Sequence, residues 1–123
     1  MKIIQTDKMP PANGHYSQCI EHNGLLYVSG QLPGNPKLMV LPEDIESQTS
    51  LVLDKIDLIL NQAGSSREKV LQIRIYIADI ELWDRVNLIC AGFFGEHKPV
   101  RCIVPVCRLH FGCLIEAEVV AYF

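Results

Sequence analysis

The chain has 123 residues, enough for one domain and too few for two. It is 49% hydrophobic and 20% charged, which leaves more apolar surface than a small monomer easily buries, so another subunit is expected to cover part of it. With 11 Lys and Arg against 14 Asp and Glu the net charge is −3, which offers no basic stripe for a phosphate backbone and argues against nucleic acid as a partner.

In chain order, Tyr16 to His22 and Leu25 to Gly30 read as two extended runs joined at Asn23-Gly24, the local signal for a tight hairpin. A loop with Pro33, Gly34, Asn35 and Pro36 follows. Ile45, Val52, Ile56, Ile59 and Ala63 then recur at helical steps after Pro42-Glu43-Asp44, predicting an amphipathic helix that ends at Gly64. Leu71 to Ile77 alternates with period two, so Leu71, Ile73, Ile75 and Ile77 are expected to face a core. Asp79 is expected to cap a second helix, with Trp83, Val86, Cys90 and Phe93 as its buried stripe and Asn87 at the stripe's edge, ending near Phe94 and Gly95. Two strands, roughly Cys102 to Cys107 and Leu114 to Tyr122, separated by a turn at His110-Phe111-Gly112, complete the pattern as a second hairpin.

This order predicts a single α+β domain over residues 1–123, a β-sheet with two helices packed on one face. The other face, with Tyr76 and Val120, is left bare, and association through the sheet would cover it.

Five cysteines, an odd number without a Cys-x-x-Cys pair, argue against a disulfide framework and for a reducing compartment. Met1 to Lys8 has too short an apolar core for a signal peptide and no run is long enough to span a bilayer, so a cytoplasmic protein without membrane contact is expected. Cys107-x-x-His110-x-x-Cys113 spans a turn and has no fourth ligand in view; its thiols are expected to pack as small apolar groups, with no metal site. His22 and His97 are expected to face solvent. Ser29-Gly30-Gln31 lacks the strand-to-helix elbow of a serine nucleophile.

Chemistry is concentrated near the end of the chain. Arg101 lies on one predicted strand and Glu116 on the next, and a cation and a carboxylate on neighbouring strands could hold a small acid and a water. Alternation puts Glu116 and Glu118 on the same, bare face, where an unpaired carboxylate is costly. Arg101 or Arg74 could pair with them, and a purely structural ion pair is the competing reading for both Arg101 and Glu116. An ordinary half-buried strand tyrosine is the competing reading for Tyr16, and helix-edge packing for Asn87.

Four islands in order, Gly14-His15-Tyr16-Ser17-Gln18, Val28-Ser29-Gly30-Gln31, Val86-Asn87 before Phe93-Phe94, and Pro99-Val100-Arg101 followed by Ile115-Glu116-Ala117-Glu118, resemble the RidA/YjgF family of 2-imino acid deaminases over nearly the whole length. The resemblance implies a chorismate-mutase-like fold, a homotrimer whose sheets form a central barrel, and ligand clefts between subunits. It also implies hydrolysis of reactive enamines and imines to 2-keto acids and ammonia without a metal or cofactor. By the same resemblance Arg101 grips the substrate carboxylate, Glu116 positions or activates water, Tyr16 lines the cleft, Gly30 and Ile103 offer main-chain groups, and Asn87 lies nearby. The sequence departs from the family pattern at His15 for a proline, at Cys90 for an aromatic residue, at Ile103 for a cysteine, and in a shortened Gly95-Glu96-His97-Lys98 loop. Two other functions use the same residues or none of them: non-catalytic binding or sensing of small 2-keto acids through Arg101, and an interaction or RNA-directed role that the acidic balance opposes.

Overall fold

The computed structural model describes residues 1–34 and 41–123; the loop expectation at Asn35 and Pro36 lies outside them. The strands are β1 (Lys2–Ile4), β2 (Cys19–His22), β3 (Leu25–Gln31), β4 (Val70–Ile77), β5 (Val100–Pro105) and β6 (Ile115–Tyr122), and the helices are α1 (Ile45–Gln62) and α2 (Trp83–Phe94). The six strands form one sheet in the order β1-β2-β3-β6-β4-β5, antiparallel except for the parallel β4–β5 pair.

Local chemistry accounts for most element ends. Asn23 and Gly24 have φ of 52° and 79°, the positive values that a two-residue hairpin turn requires. Asp44 caps α1 by accepting from the Ser47 N–H at 2.8 Å. The helix stops where Gly64 takes φ of 81° and the Ser65 N–H turns back to the Leu60 carbonyl at 2.9 Å. Asp79 caps a single 3-10 turn, Ile80–Leu82, by accepting from the Glu81 N–H, and that turn feeds α2.

Both helices cover one face of the sheet. Val52, Ile56, Ile59 and Leu60 of α1, and Val86 and Cys90 of α2, meet Leu26 and Val28 of β3, Ile73, Ile75 and Ile77 of β4, and Ile115, Ala117 and Val119 of β6. Two polar residues that the apolar periodicity of α1 passes over are also buried there. Gln48 donates to the Pro42 carbonyl at 2.6 Å and accepts from the Leu114 N–H at 2.8 Å, tying the start of α1 to the start of β6. Thr49 returns its hydroxyl to the Ile45 carbonyl.

The expectations for the last hairpin, for Leu71 and for the α2 stripe are corrected. The last two strands do not form a hairpin, because β4 lies between them. Helix α2 carries the chain across to a parallel β5 on the outer side of β4, and the return segment is pinned to the end of β4 by Val106 N–H to Ile77 and Ala78 N–H to Leu114. Leu71 is exposed because a bulge between Val70 and Gln72 turns it away, and Val70 takes the core position. Trp83 is at the rim of α2, and Phe94 is its buried aromatic while Phe93 packs at the edge. The N-terminal edge strand β1, only three residues long, has no sequence period to announce it.

Candidate functional site

The bare face of the sheet carries Glu116 and Glu118 of β6 with Arg74 and Tyr76 of β4 opposite them. Glu118 accepts from Arg74 at 2.7 Å and from the Tyr76 hydroxyl at 3.3 Å, so Arg74 is the partner and Glu118 the paired acid. Glu116 accepts no hydrogen bond among the described residues. Burial raises its pKa above the usual carboxylate value, the nearby Glu118 charge adds to the rise, and His110 opposes it.

Glu116 rests against a distortion of β3. The β3–β6 register shifts between Val28 and Gln31, and the Ser29 N–H leaves the ladder for the Gln18 carbonyl at 2.9 Å, with the Ser29 hydroxyl on the Ser17 carbonyl. That bulge brings Gly30 under the Glu116 side chain, where a Cβ would lie 3.2 Å from the carboxyl carbon and overlap an oxygen. Glycine here is a requirement of close approach. Tyr16, Ser29, Gly30, His110, Phe111 and Glu116 line an open cleft of about 350 Å³.

Tyr16 precedes β2 instead of lying in it and is 52% exposed, which removes the half-buried strand tyrosine as a reading. Its phenol oxygen accepts from the Asn13 N–H at 3.3 Å. His110 and Phe111, which the sequence marks only as a turn, stack with ring centroids 3.7 Å apart, and Phe111 has φ of 61°, uncommon for a side chain of its size. A bulky residue just before a glycine in a turn was the available signal.

A second cleft, of about 470 Å³, lies on the helix-covered side between β5 and α2. Arg101 projects into it, donates Nη1 to Asn87 Oδ1 at 2.9 Å, and places its guanidinium carbon 5.4 Å from the centre of the Trp83 ring. Beside it sits Cys90, buried, with its thiol pKa raised by burial and lowered in part by Arg101. Among the described residues no carboxylate neutralises Arg101. Ile103 turns its side chain toward the core beside Ile75.

Arg101 and Glu116 are therefore not on neighbouring strands. Arg101 pairs with Ile73 and shares its helix-facing side, whereas Glu116 pairs with Tyr76 on the opposite side. With β4 between them, two strand spacings of about 4.8 Å each and the thickness of the sheet keep the groups from one ligand within one chain.

The remaining expectations about thiols and histidines divide. Cys19 and Cys113 are buried, and Cys113 points at the Gly34 carbonyl, but Cys102 and Cys107 are exposed, Cys107 because β5 has already ended at Pro105. His22 is exposed, while His97 is half-buried with Nε2 2.7 Å from the Val70 carbonyl.

Fold and site together define a small α+β domain with two open half-clefts, one cationic beside α2 and one acidic on the bare sheet face. The family described as endoribonuclease L-PSP matches residues 6–123, and the chain belongs to this family, that of the RidA/YjgF (Rid) proteins. A RutC family protein of Pyrococcus horikoshii is 38% identical over 122 residues, spanning 98% of this chain and 97% of that protein. The Rid family protein YyfA of Yersinia pestis is 42% identical with a TM-score of 0.93, covering 99% of this chain and 98% of that one. TdcF of Escherichia coli, provisionally named a reactive intermediate deaminase, is 32% identical over 123 residues, spanning 98% and 95% of the two chains. Its crystal structure with bound serine has a TM-score of 0.93 at 31% identity and covers 100% and 99% of the two chains. No helix among the described residues is long and apolar enough to cross a membrane.

Proposed function

We propose that the protein hydrolyses reactive 2-imino acids and their enamine tautomers to 2-keto acids and ammonia, at sites completed between copies of the chain in a homotrimer. The observation that carries this reading is the division of the site. An unneutralised Arg101 with Asn87 lies on one side of the sheet, and an acid of raised pKa cradled by Gly30 lies on the other. Placing the β5 edge of one copy over the bare face of the next joins the two halves and buries that face.

The chemistry follows from the groups. The planar Arg101 fork suits the two oxygens of a carboxylate, and Asn87 Oδ1 holds the fork in orientation. Main-chain donors add to it. Val106 sends its N–H inward to Ile77, so alternation along β5 turns the N–H groups of Ile103 and Arg101 out of the open edge, free for a ligand oxygen. An enamine takes a proton at C3 to become the imine. Ionised Glu116 then removes a proton from water as its oxygen bonds to C2 of the protonated imine. Glu116 returns that proton to the nitrogen of the resulting carbinolamine, and as the C–N bond breaks and C=O forms the hydroxyl proton passes back to the Glu116 carboxylate and on to solvent, so that imine and water become keto acid and ammonia with no redox partner. A raised pKa makes Glu116 a stronger base for this step than a free carboxylate. Tyr16 walls the acidic side.

The bound serine of TdcF favours a second reading, in which the site binds small carboxylates without turning them over. Hydrolysis of freshly generated 2-aminoacrylate by the wild-type protein and by Arg101→Ala of equal oligomeric mass decides between them. Acceleration that disappears in the variant supports the deaminase; background rates for both, with pyruvate still bound by calorimetry, support binding alone.

A further inference from the structure

The cleft beside Arg101 is larger than the smallest imines need. At about 470 Å³ it falls within the range of about 300–1,000 Å³ used for ligands of drug size. A three-carbon imino acid held by its carboxylate would fill only a small part of this chain's side of the cleft. The space exists because the α2 positions that wall it, Cys90 and Ala91, carry small side chains, and because Phe94 turns into the core behind them.

The cleft combines polar and apolar lining. Arg101 and Asn87 make one polar end, while Ile73, Cys90, Ala91 and Phe94 make an apolar wall. Cys90 adds no charge there, since its burial holds the thiol neutral. Lys98, which is exposed, and His97, whose Nε2 lies 2.7 Å from the Val70 carbonyl, also line the cleft. A ligand that fits has a carboxylate at one end and an apolar group at the other.

Resting on Arg101 as the carboxylate grip, we propose that this cleft is the side-chain pocket of the site. Its preferred ligands are 2-imino acids, and the matching 2-keto acids, with apolar side chains of leucine, methionine or phenylalanine size. Ala91 is the lining position at which added bulk would narrow the pocket. Each further methylene removed from water is worth about fourfold in affinity, so three extra carbons leave ample margin for a preference of at least about tenfold.

The experiment uses the full chain and titrates pyruvate, 4-methyl-2-oxopentanoate and 2-oxoglutarate by calorimetry. The expected result is 4-methyl-2-oxopentanoate bound at least about tenfold more tightly than pyruvate. Because Ala91 is exposed on α2, bulk added there enters the cleft without entering the core. Ala91→Phe is expected to bring that preference to unity or below, with Ala91→Leu between the two, at unchanged circular dichroism and oligomeric mass. Equal binding of the three acids, or a preference untouched by Ala91→Phe, would overturn the proposal. Tightest binding of 2-oxoglutarate would also overturn it, since Lys98 and not the apolar wall would then set selectivity. Hydrolysis of imines generated from alanine, leucine and phenylalanine by an amino-acid oxidase separates this inference from the deaminase reading. Size-graded binding without hydrolysis sinks the deaminase and leaves the pocket, whereas equally fast hydrolysis of all three with no graded binding does the reverse.

Discussion

If Arg101 of one copy works with Glu116 of another, two inactive variants should repair each other. Arg101→Ala lacks the carboxylate grip at every site and Glu116→Gln lacks the base at every site, so each alone is expected to run at background. When the two are unfolded together in equal amounts and reassembled, each site draws its arginine from one chain and its carboxylate from a neighbour. Half the chains carry an intact Arg101 and half an intact Glu116, so about a quarter of the sites regain both and about a quarter of the wild-type rate should return. A site built inside one chain would give none, because no chain carries both groups. The assay is hydrolysis of 2-aminoacrylate by the mixture after mass measurement shows mixed oligomers. The separation of the two groups by β4 and by the sheet itself is the basis of the expectation. A mixture that forms mixed oligomers yet stays at the mean of its parents would refute the reasoning.

Gly30→Ala should push the Glu116 carboxylate from its seat, lowering kcat by about 10- to 100-fold while KM for the imine, set at Arg101, moves little; steady-state kinetics separates the two. On the proposal that ionised Glu116 is the base, the rate should rise with pH through a pKa above the ordinary glutamate value, and Glu118→Gln, by removing a neighbouring negative charge, should move that limb to lower pH. The stability sign is the opposite: a raised folded-state pKa contributes stability fully below the unfolded glutamate pKa of about 4.3 and loses it as pH rises through the folded value, which urea midpoints across that window would show. Gln48→Leu should cost on the order of 2–4 kcal/mol, since it leaves the Pro42 carbonyl and the Leu114 N–H without their buried partner, and denaturant unfolding measures it.

Periodicity made the helices and the central strands legible, since Ile45 to Ile59 and Ile73 to Ile77 repeat at the spacing of their elements. It could not order the strands. β5 is a short run between two prolines, and whether it pairs with β4 or β6 depends on the path of α2, a tertiary fact that no local pattern encodes. The bulges at Leu71 and at Ser29-Gly30 were equally hidden, because each rests on a hydrogen bond or packing choice made by another segment. Of the site residues, Arg101 and Asn87 do meet and Gly30 does lie against Glu116. The resemblance named these four residues one by one but neither paired them in this way nor showed that the two pairs occupy opposite faces. The acids Glu116 and Glu118 were correctly placed on one side by alternation alone.

The open edge at β5 bears on how a single copy of this chain avoids pairing with foreign strands. A sheet edge is a template for strand addition, and a newly made chain offers one at β5 until something covers it. The inward N–H of Val106 fixes the alternation, so the nitrogens facing out of the edge are those of Pro99, Arg101, Ile103 and Pro105. Two of the four are prolines and carry no hydrogen, which leaves a foreign strand only two donors, one of them beside a charged side chain. At the far end of the sheet β1 is three residues long. One edge is thus poor in donors and the other short, so neither favours a growing stack of strands, and a lone chain is guarded against fibrous aggregation by its covalent structure.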